Sequence, residues 1–331
     1  MIRSFDWRDF PNLHRNRNEG IWLDTSLALT RWMALVPAGA LLASLAPATG
    51  IFTCVATDDA NGGGPVVGQL SHTTGSVKAK LTFITPEEAV ETAGVTRLLD
   101  HLARVAGERG AHNLLAEVSE ISPVYEVLRR NGFVIYTRQR VWELKPAEND
   151  GPGLWRQVSE TDEHDVHYLY HSLVPVLVQQ TEPPPWENLN GLAYAEDGEL
   201  VAYVHLIYGP TGILAQPFIH TGTDHAEALL VSLHDAVPNV RSRPVYLCVR
   251  SHQAWLAPFL DELGFESGPR QAVMVKRLAV PLQEKVPARM KNAGLENAQP
   301  EISTTSRNLS NFGGPGSEAA RPPKFRQHFQ P

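Results

Sequence analysis

The sequence predicts an α/β (α+β) protein of two tandem domains, each a mixed, mostly antiparallel twisted sheet flanked by helices, with a disordered C-terminal tail. Three observations predict this architecture. The chain has 331 residues, which is more than a single domain usually holds. A stretch around residue 130 recurs in divergent form around residue 262. Residues 281–331 are rich in Pro and Gly and show no hydrophobic periodicity, which is typical of disorder.

The duplication relates residues 111–144 to residues 244–278. Gly132-Phe133 corresponds to Gly264-Phe265 at an offset of 264 − 132 = 132. The same offset relates Leu128 to Leu260, Arg138-Gln139 to Arg270-Gln271, and Val141 to Val273. In each copy a short apolar run predicts a buried strand, an amphipathic stretch predicts a helix, and the glycine predicts the left-handed cap that ends it. A solenoid repeat would be only roughly 20–50 residues long, so we expect two domains.

The first domain is predicted to span residues 1–147. Its elements are a strand at 2–6, a helix at 7–18, strands at 50–56, 65–72 and 77–84, and a central helix at about 90–108. No charged residue occurs between Arg31 and Asp58, a segment long enough to cross a membrane, but Pro37, Gly39 and Pro47 interrupt it, and residues 27–45 are interpreted as helical. We therefore expect helical structure that covers the first sheet, and no membrane association.

The second domain is predicted to span residues 148–280, because the polar segment 145–153 contains Pro and Gly and is typical of a boundary. Residues 160–162 offer an N-cap for its first helix. Its remaining elements are strands at 191–195, 199–208 and 212–219 and a central helix at 226–233, followed by the second copy of the duplicated stretch.

The composition limits the possible partners and the compartment. The formal net charge is −7, which argues against non-specific nucleic-acid binding. The N-terminus lacks the apolar core of a signal peptide, so a cytoplasmic location is expected. Cys54 and Cys248 both lie in apolar, strand-like runs, and we expect two buried, reduced thiols.

These motifs resemble the GNAT superfamily of acyl-CoA-dependent N-acyltransferases. RNGF at 130–133 and ELGF at 262–265 resemble the turn that precedes the family's closing strands, and residues 86–111 resemble its central helix. The resemblance covers most of residues 1–280 as two copies. It implies transfer of an acetyl or other acyl group from acyl-CoA to an amine on a small molecule or a protein.

In the family, the acyl-CoA pyrophosphate binds backbone N–H groups at the start of the central helix, in a loop of the form Q/R-x-x-G-x-G/A. The resemblance implies cofactor-binding residues at the end of one strand and in the following loop of each copy. They are Phe83, Ile84, Gly94, Val95 and Thr96 in the first copy, and Phe218, Ile219, Gly222 and Thr223 in the second. Both loops depart from the pattern, because Glu91 and Asp224 bring negative charge towards the phosphate position and the second loop lacks G-x-G.

The family's general acid is commonly a tyrosine four residues before the Gly of Gly-Phe, and Leu128 and Leu260 hold that place here. Tyr125, about one helical turn earlier, is a candidate acid whose alternative role is packing. Candidates for a base are Glu117 and His220, with Glu120 and His252 as further options. Because both copies lack the usual motifs, a catalytically inactive binding or scaffold protein of the same fold is the alternative to an acyltransferase.

Two further clusters have structural alternatives. His164, His167 and His171 could share one helix face, but there is no fourth ligand, so a solvated face is favoured and no metal is predicted. Arg241, Arg243 and Arg250 could form a basic patch, either for nucleotide phosphates or for salt bridges within an acidic body. The sequence identifies neither the acceptor nor the oligomeric state.

Overall fold

The computed structural model describes residues 1–16, 19–31, 50–58, 63–146, 153–182, 184 and 189–279. These residues belong to one compact unit. The predicted domain boundary at 147/148, most of the predicted helical segment 27–45 and the predicted tail lie outside the described residues. No helix in the described ranges is long and apolar enough to cross a membrane.

The strands of both halves belong to one mixed sheet. They are β1 (Ile2–Ser4), β2 (Ile21–Trp22), β3 (Ile51–Asp58), β4 (Gly63–Ser71), β5 (Lys78–Thr85), β6 (Asn113–Ser119), β7 (Val134–Leu144), β8 (Arg156–Gln157), β9 (Gly191–Glu196), β10 (Glu199–Tyr208), β11 (Ile213–Ile219), β12 (Val245–Arg250), β13 (Glu266–Ser267) and β14 (Gln271–Arg277). Across the described residues this sheet has 14 strands in the order β1-β3-β4-β5-β6-β14-β7-β12-β11-β10-β9-β8, with β2 beside β5 and β13 beside β7.

The two halves exchange their closing strands. The last strand among the described residues, β14, lies between β6 and β7 of the first half and pairs antiparallel with both. The 11-residue strand β7 then continues past β14 and pairs antiparallel with β12 of the second half. The sequence predicts two sheets, one for each half. The structure joins them because β7 is long enough to pair with β14 at one end and with β12 at the other, so neither half presents an open edge at the junction.

Helices cover both faces of this sheet, as the predicted α/β class requires. They are α1 (Phe10–Arg15), α2 (Thr25–Thr30), α3 (Ala93–Glu108), α4 (Pro123–Arg130), α5 (Glu163–Leu173), α6 (Val176–Thr181), α7 (Ala226–Ala236) and α8 (Ala257–Glu262). Alternate residues of β14 show the two faces, since Met274 packs with α3 and α4 whereas Val273 packs with α5 and α6. In the second half, α7 and α8 pack on Leu247 and its neighbours in β12.

The equivalent glycines end α4 and α8 in the same way. Gly132 has φ +82° and Gly264 has φ +72°, so both take the left-handed conformation that lacks a penalty only for glycine. The N–H of Phe133 donates to Leu128 O at 3.1 Å, and the N–H of Phe265 donates to Leu260 O at 3.1 Å. The predicted glycine caps are therefore confirmed in both copies.

The beginnings of the two halves also repeat a contact that the sequence analysis missed. Arg3 pairs with Asp9 at 2.6 Å, and Arg156 pairs with Asp162 at 2.6 Å. Each aspartate is also the third residue of a capping box. The identical Arg-x5-Asp spacing is a sequence signal that could have located the start of the second copy.

In each half, one parallel strand pair opens into a wedge. Strands β5 and β6 pair only where residues 78–80 meet residues 113–115. Strands β11 and β12 pair only where residues 213–215 meet residues 245–247. Beyond these short parallel ladders the strands separate, and α3 or α7 begins a few residues after β5 or β11. The acyl-CoA-binding residues predicted from the sequence lie at these two wedges, so each wedge is a predicted binding site for acyl-CoA.

Candidate functional site

The wedge of the N-terminal half is occupied by the chain itself. Strand β2 pairs antiparallel with β5, with Ile21 opposite Ile84 and Trp22 opposite Phe83. Leu23 follows in the chain; its N–H donates to Thr82 O at 3.0 Å, and its carbonyl accepts from the N–H of Glu117 at 2.8 Å. The main chain at residues 21–23 therefore satisfies backbone groups on both strands that form the wedge.

The predicted cofactor residues of this half lie around that occupied wedge. The side chains of Phe83 and Ile84 are fully buried, and their edge of β5 is paired with β2. Gly94 and Val95 are buried in the first turn of α3, whereas Thr96 is exposed. No side chain caps the N-terminus of α3.

Four glutamates surround the approach to α3. Glu19, Glu87, Glu88 and Glu91 line a cleft of about 590 Å³ together with Pro123. Glu91 is the residue whose charge the sequence analysis identified as unfavourable beside a phosphate. Anionic side chains oppose a second anion at close range, so this cleft repels phosphate even though the helix N-terminus attracts it.

In the C-terminal half, a side chain and not a strand occupies the wedge. Phe218 and Ile219 are buried on β11, and the N–H of Ile219 donates to the side-chain oxygen of Gln253 at 2.9 Å. Gln253 follows β12 in the chain and is itself 1% exposed. A side-chain amide, not a strand, therefore meets the edge of β11 here.

The loop before α7 contains the other predicted residues of this half. The N–H of Gly222 donates to His220 Nδ1 at 3.1 Å. The hydroxyl of Thr223 donates to the carboxylate of Glu196 and accepts from the N–H of His225 at 3.3 Å. No side chain caps α7, so its first backbone N–H groups point out of the helix end and carry its partial positive charge.

A buried charge network connects the two wedges. Glu117 accepts from the N–H of Thr25 at 3.0 Å, and its carboxylate lies 4.0 Å from Lys80 Nζ and 3.8 Å from Arg250 Nη2. Lys80 also lies 3.3 Å from Asp24. Burial alone would raise the pKa of Glu117, but the charges of Lys80 and Arg250, with the hydrogen bonds from Thr25, lower it to about 2. Glu117 is therefore a permanent counter-ion here and is unsuited to accept a proton from an amine near neutral pH.

Arg250 extends this network to the second half. Its Nη2 lies 3.1 Å from the carboxylate of Glu182, which also accepts from the hydroxyl of Tyr136. Burial and the charge of Glu182 raise the pKa of Tyr136. Tyr136 lies on β7, in the first half of the chain, so residues from both halves hold the end of β12.

A small cavity lies where this network meets the C-terminal wedge. Its volume is about 60 Å³. Its polar lining is Lys78, Glu182, Gln216, Arg250 and His252. Phe218 and Tyr170 close it on the face covered by α5, together with apolar residues of that helix end and α6. Burial, followed by the charge of Arg250, lowers the pKa of His252 to about 4, so its ring is neutral at pH 7.

Two of the three catalytic candidates lie away from this cavity. Tyr125 packs against the core beside α3, and the guanidinium of Arg129 lies 5.9 Å from the centre of its ring. His220 is exposed and accepts from the loop backbone. Leu128 and Leu260, which replace the family's tyrosine, are fully buried in the core. His252, the further option for a base, is the histidine that lines the cavity.

The predicted basic patch is not assembled. Arg250 ends β12, whereas Arg243 precedes that six-residue strand, and a strand of this length extends about 20 Å. Arg243 instead donates to Gly209 O at 2.8 Å and lies over the ring of Tyr208. Arg243 and Arg250 do not form a patch, because the extended strand β12 lies between them and places them at its opposite ends.

The remaining candidates are the histidines of α5 and the two cysteines. His171 Nδ1 lies 2.8 Å from Gln179 Oε1, and within the described ranges no group of three or more His, Cys, Asp or Glu side chains is arranged to hold a metal ion. Cys54 and Cys248 are free and buried, and burial raises their pKa values to about 11 and about 12.

Most residues of the buried network were not predicted from the sequence. Asp24, Lys78, Lys80, Tyr136 and Glu182 come from four separate elements or loops, since the two lysines share β5, and no spacing in the sequence connects the four. The available signal is the placement of Lys78 and Lys80 in a strand that carries no other charge, because an ammonium group in a largely buried strand requires a partner.

The comparisons with known proteins identify the fold. No family model and no curated protein matches the sequence. A GCN5-related N-acetyltransferase from Sphaerobacter thermophilus matches the structure with a TM-score of 0.51 and 13% identity, over 84% of this chain and 95% of that one. A tandem GNAT protein from the clavulanic acid biosynthesis pathway matches with a TM-score of 0.48 and 16% identity, over 84% of this chain and 98% of that one.

The chain therefore has the fold of the GCN5-related N-acetyltransferases, as the sequence motifs indicate. At this level of identity, the likeness concerns the fold. Which chemistry the chain performs depends on the two wedges and on the groups that line them.

Proposed function

We propose that this chain is an acyl-CoA-dependent N-acyltransferase. In this proposal the C-terminal half binds acyl-CoA, the carrier of the acyl group, and the N-terminal half supports that site. The observation that carries the proposal is the difference between the wedges. Residues 21–23 occupy the N-terminal wedge with main-chain hydrogen bonds to both strands. The C-terminal wedge contains side chains and the cavity beside Arg250 and His252.

Electrostatics favours the same half. The four glutamates at the start of α3 oppose a diphosphate in the N-terminal half. The uncapped start of α7 offers backbone N–H groups in the C-terminal half, and Gly222 leaves the loop without a bulky side chain. These groups fit a diphosphate, and the edge of β11 at residues 216–219 would lie along the rest of the carrier.

Acyl-CoA would supply the acyl group as an activated thioester. This chain would bind the carrier and the amine together and orient them, which is the main contribution that a site without a covalent nucleophile can make. The neutral ring of His252 provides a nitrogen that can accept a hydrogen bond from the incoming amine. The acceptor is an amine on a small molecule or a protein.

Thermal unfolding with and without acetyl-CoA tests the proposal. Acetyl-CoA at about 100 times its Kd should stabilise the native protein by roughly 2.7 kcal/mol. Gly222→Glu places an anion in the loop before α7 and should abolish the shift. The matched variant Gly94→Glu introduces an anion in the first turn of α3 and should retain the shift, because each shift is measured against the variant's own unfolding temperature. A shift that Gly94→Glu removes and Gly222→Glu keeps would refute the assignment of the halves.

A non-catalytic binding or scaffold protein is the second candidate. The observation that favours it is the hydrogen bond from Ile219 to Gln253, which occupies the edge of β11 within the C-terminal wedge. The carboxylate of Glu196 beside Thr223 also opposes a phosphate. No stabilisation by acetyl-CoA or by longer acyl-CoAs, in wild type and in a Gln253→Ala variant, would favour this candidate over the enzyme.

A further inference from the structure

One of the two terminal nitrogens of the Arg250 guanidinium lacks a hydrogen-bond acceptor among the described residues. Its side chain is only 7% exposed. Nη2 lies near Glu182 and Glu117, at 3.1 and 3.8 Å, whereas Nη1 has no hydrogen-bond partner among the described residues. A buried guanidinium N–H without an acceptor is costly, so such a group indicates that an acceptor binds beside it.

A second cation lines the same cavity. Lys78 reaches it from β5 in the N-terminal half, and within the described part of the chain its Nζ makes no ion pair within 4 Å. Burial lowers the pKa of Lys78, which is the response of an ammonium group that lacks a close counter-ion. His252 adds two ring nitrogens, neither of which has a partner among the described residues.

The anionic residues around the cavity are already engaged. Glu182, the acid in its lining, accepts from Tyr136 and pairs with Arg250 Nη2. Behind the lining, Glu117 and Asp24 share Lys80, and both accept backbone N–H groups from the segment that follows Leu23. The lining itself has two cations, Lys78 and Arg250, for one carboxylate, a local excess of one positive charge.

We propose that this cavity binds the carboxylate of the acceptor, so that the preferred substrate is an amine that also carries a carboxylate, such as an amino acid. This inference rests on the proposed acyltransferase function, and it identifies the class of acceptor. One carboxylate oxygen would accept from Arg250 Nη1 and the other from Lys78 Nζ, a charge-assisted pair of hydrogen bonds.

The volume and the charge of the cavity limit which chemical group can bind there. A volume of about 60 Å³ has room for about two water molecules, or for one carboxylate group of three heavy atoms. An ammonium group would meet two cations there. Because Lys78 belongs to the first half and Arg250 to the second, the carboxylate would bind at the junction of the two copies, and neither copy alone would form the site.

The first test needs no acyl-CoA, so its result does not depend on the proposed function. Thermal unfolding is measured in sodium acetate, in sodium chloride at equal ionic strength, and in acetamide. Acetate should raise the unfolding temperature in a saturable way, and chloride and acetamide should not. Lys78→Met keeps the apolar stem of the side chain and should weaken the apparent affinity for acetate about 10-fold or more.

Lys145→Met is the matched control, because Lys145 forms an exposed pair with Glu266, and it should bind acetate as wild type does. Equal effects of acetate and acetamide, or of acetate and chloride, would overturn the proposal. An unchanged acetate affinity in Lys78→Met would do so as well.

The second test compares glycine with glycinamide as acceptors for acetyl-CoA. The ratio of kcat/KM for glycine over glycinamide should be at least about 10 in wild type and in Lys145→Met. In Lys78→Met the ratio should fall towards one, mainly through a higher KM for glycine. A ratio near one in the wild type would contradict the assignment even where acyl transfer is observed.

Discussion

Gln139 Nε2 donates a hydrogen bond to Gln271 Oε1 at 2.7 Å, and the two residues lie opposite each other on β7 and β14. They are equivalent positions of the two copies, at the offset of 271 − 139 = 132. The preceding equivalents, Arg138 and Arg270, both pair with Glu120, at 2.7 and 3.6 Å. Contact between equivalent residues is the mark of an isologous interface, so the duplicated units meet within one chain as the subunits of a symmetric dimer would.

The two glycine caps should have similar effects on stability. Gly132 and Gly264 both require positive φ, so Gly132→Ala and Gly264→Ala should each lower the free energy of unfolding by about 1–2 kcal/mol. Urea denaturation measures the loss. Gly153→Ala, where an added Cβ meets nothing within 4 Å, should change the stability by less than about 0.5 kcal/mol. A neutral effect at either cap would show that the turn can rearrange.

The main chain in the N-terminal wedge requires a glycine at its entrance. A Cβ on Gly20 would lie 2.0 Å from the ring of Phe83, which is fully buried. Gly20→Ala should therefore destabilise the protein by about 1–3 kcal/mol, because the ring or the segment must move. Chemical denaturation measures this, with Gly64→Ala as the control, since its added Cβ meets nothing within 4 Å. Wild-type stability in Gly20→Ala would mean that residues 20–23 do not depend on this packing.

Glu117 should make stability depend on pH in acid. Its folded pKa of about 2 is below its ordinary 4.5, so its contribution is fully present above about pH 4.5 and is lost as the pH falls through about 2. Glu117→Gln should lower the unfolding free energy at pH 7 by about 3 kcal/mol, and the difference from wild type should shrink between pH 4.5 and 2.

Denaturation at several pH values measures that difference, which isolates Glu117 from the other titrating groups. Glu120→Gln is the control, because Glu120 forms its pairs with Arg138 and Arg270 near the surface. It should cost no more than about 1 kcal/mol at pH 7. A constant difference for Glu117→Gln across this pH range would contradict the assigned ionisation.

The two thiols should be unreactive in the native protein. Burial raises the pKa of Cys54 from 9.0 to about 11 and that of Cys248 to about 12, which suppresses the thiolate that reacts with disulfide reagents. At pH 8 the native protein should react with Ellman's reagent about 100-fold more slowly than the protein in urea. A small thiol in the same urea serves as the control. Rapid labelling of either cysteine without denaturant would show that its strand opens readily.

The sequence predicted the features that depend on neighbouring residues. The glycine caps follow from a helix pattern that ends at Gly132 or Gly264, and the duplication follows from residues at a constant offset. It did not predict β2, because a two-residue strand has too few positions to show a period. Cofactor contacts were also predicted for Phe83 and Ile84. The wedge in which these residues lie is instead occupied by β2, where Trp22 pairs with Phe83 across 83 − 22 = 61 positions of the chain.

The sequence by itself determined the GNAT-like order of strands and helices in each copy, since caps, turns and hydrophobic periods are set by groups within a few residues of one another. Only the tertiary structure decided which wedge is filled and where the charges lie. Asp24, Lys80, Glu117 and Arg250 form one buried network although they span 250 − 24 = 226 positions. Such a network exists only once β14 and β7 have joined the halves, because the order of strands in the sheet, and not distance along the chain, determines which buried charges become partners.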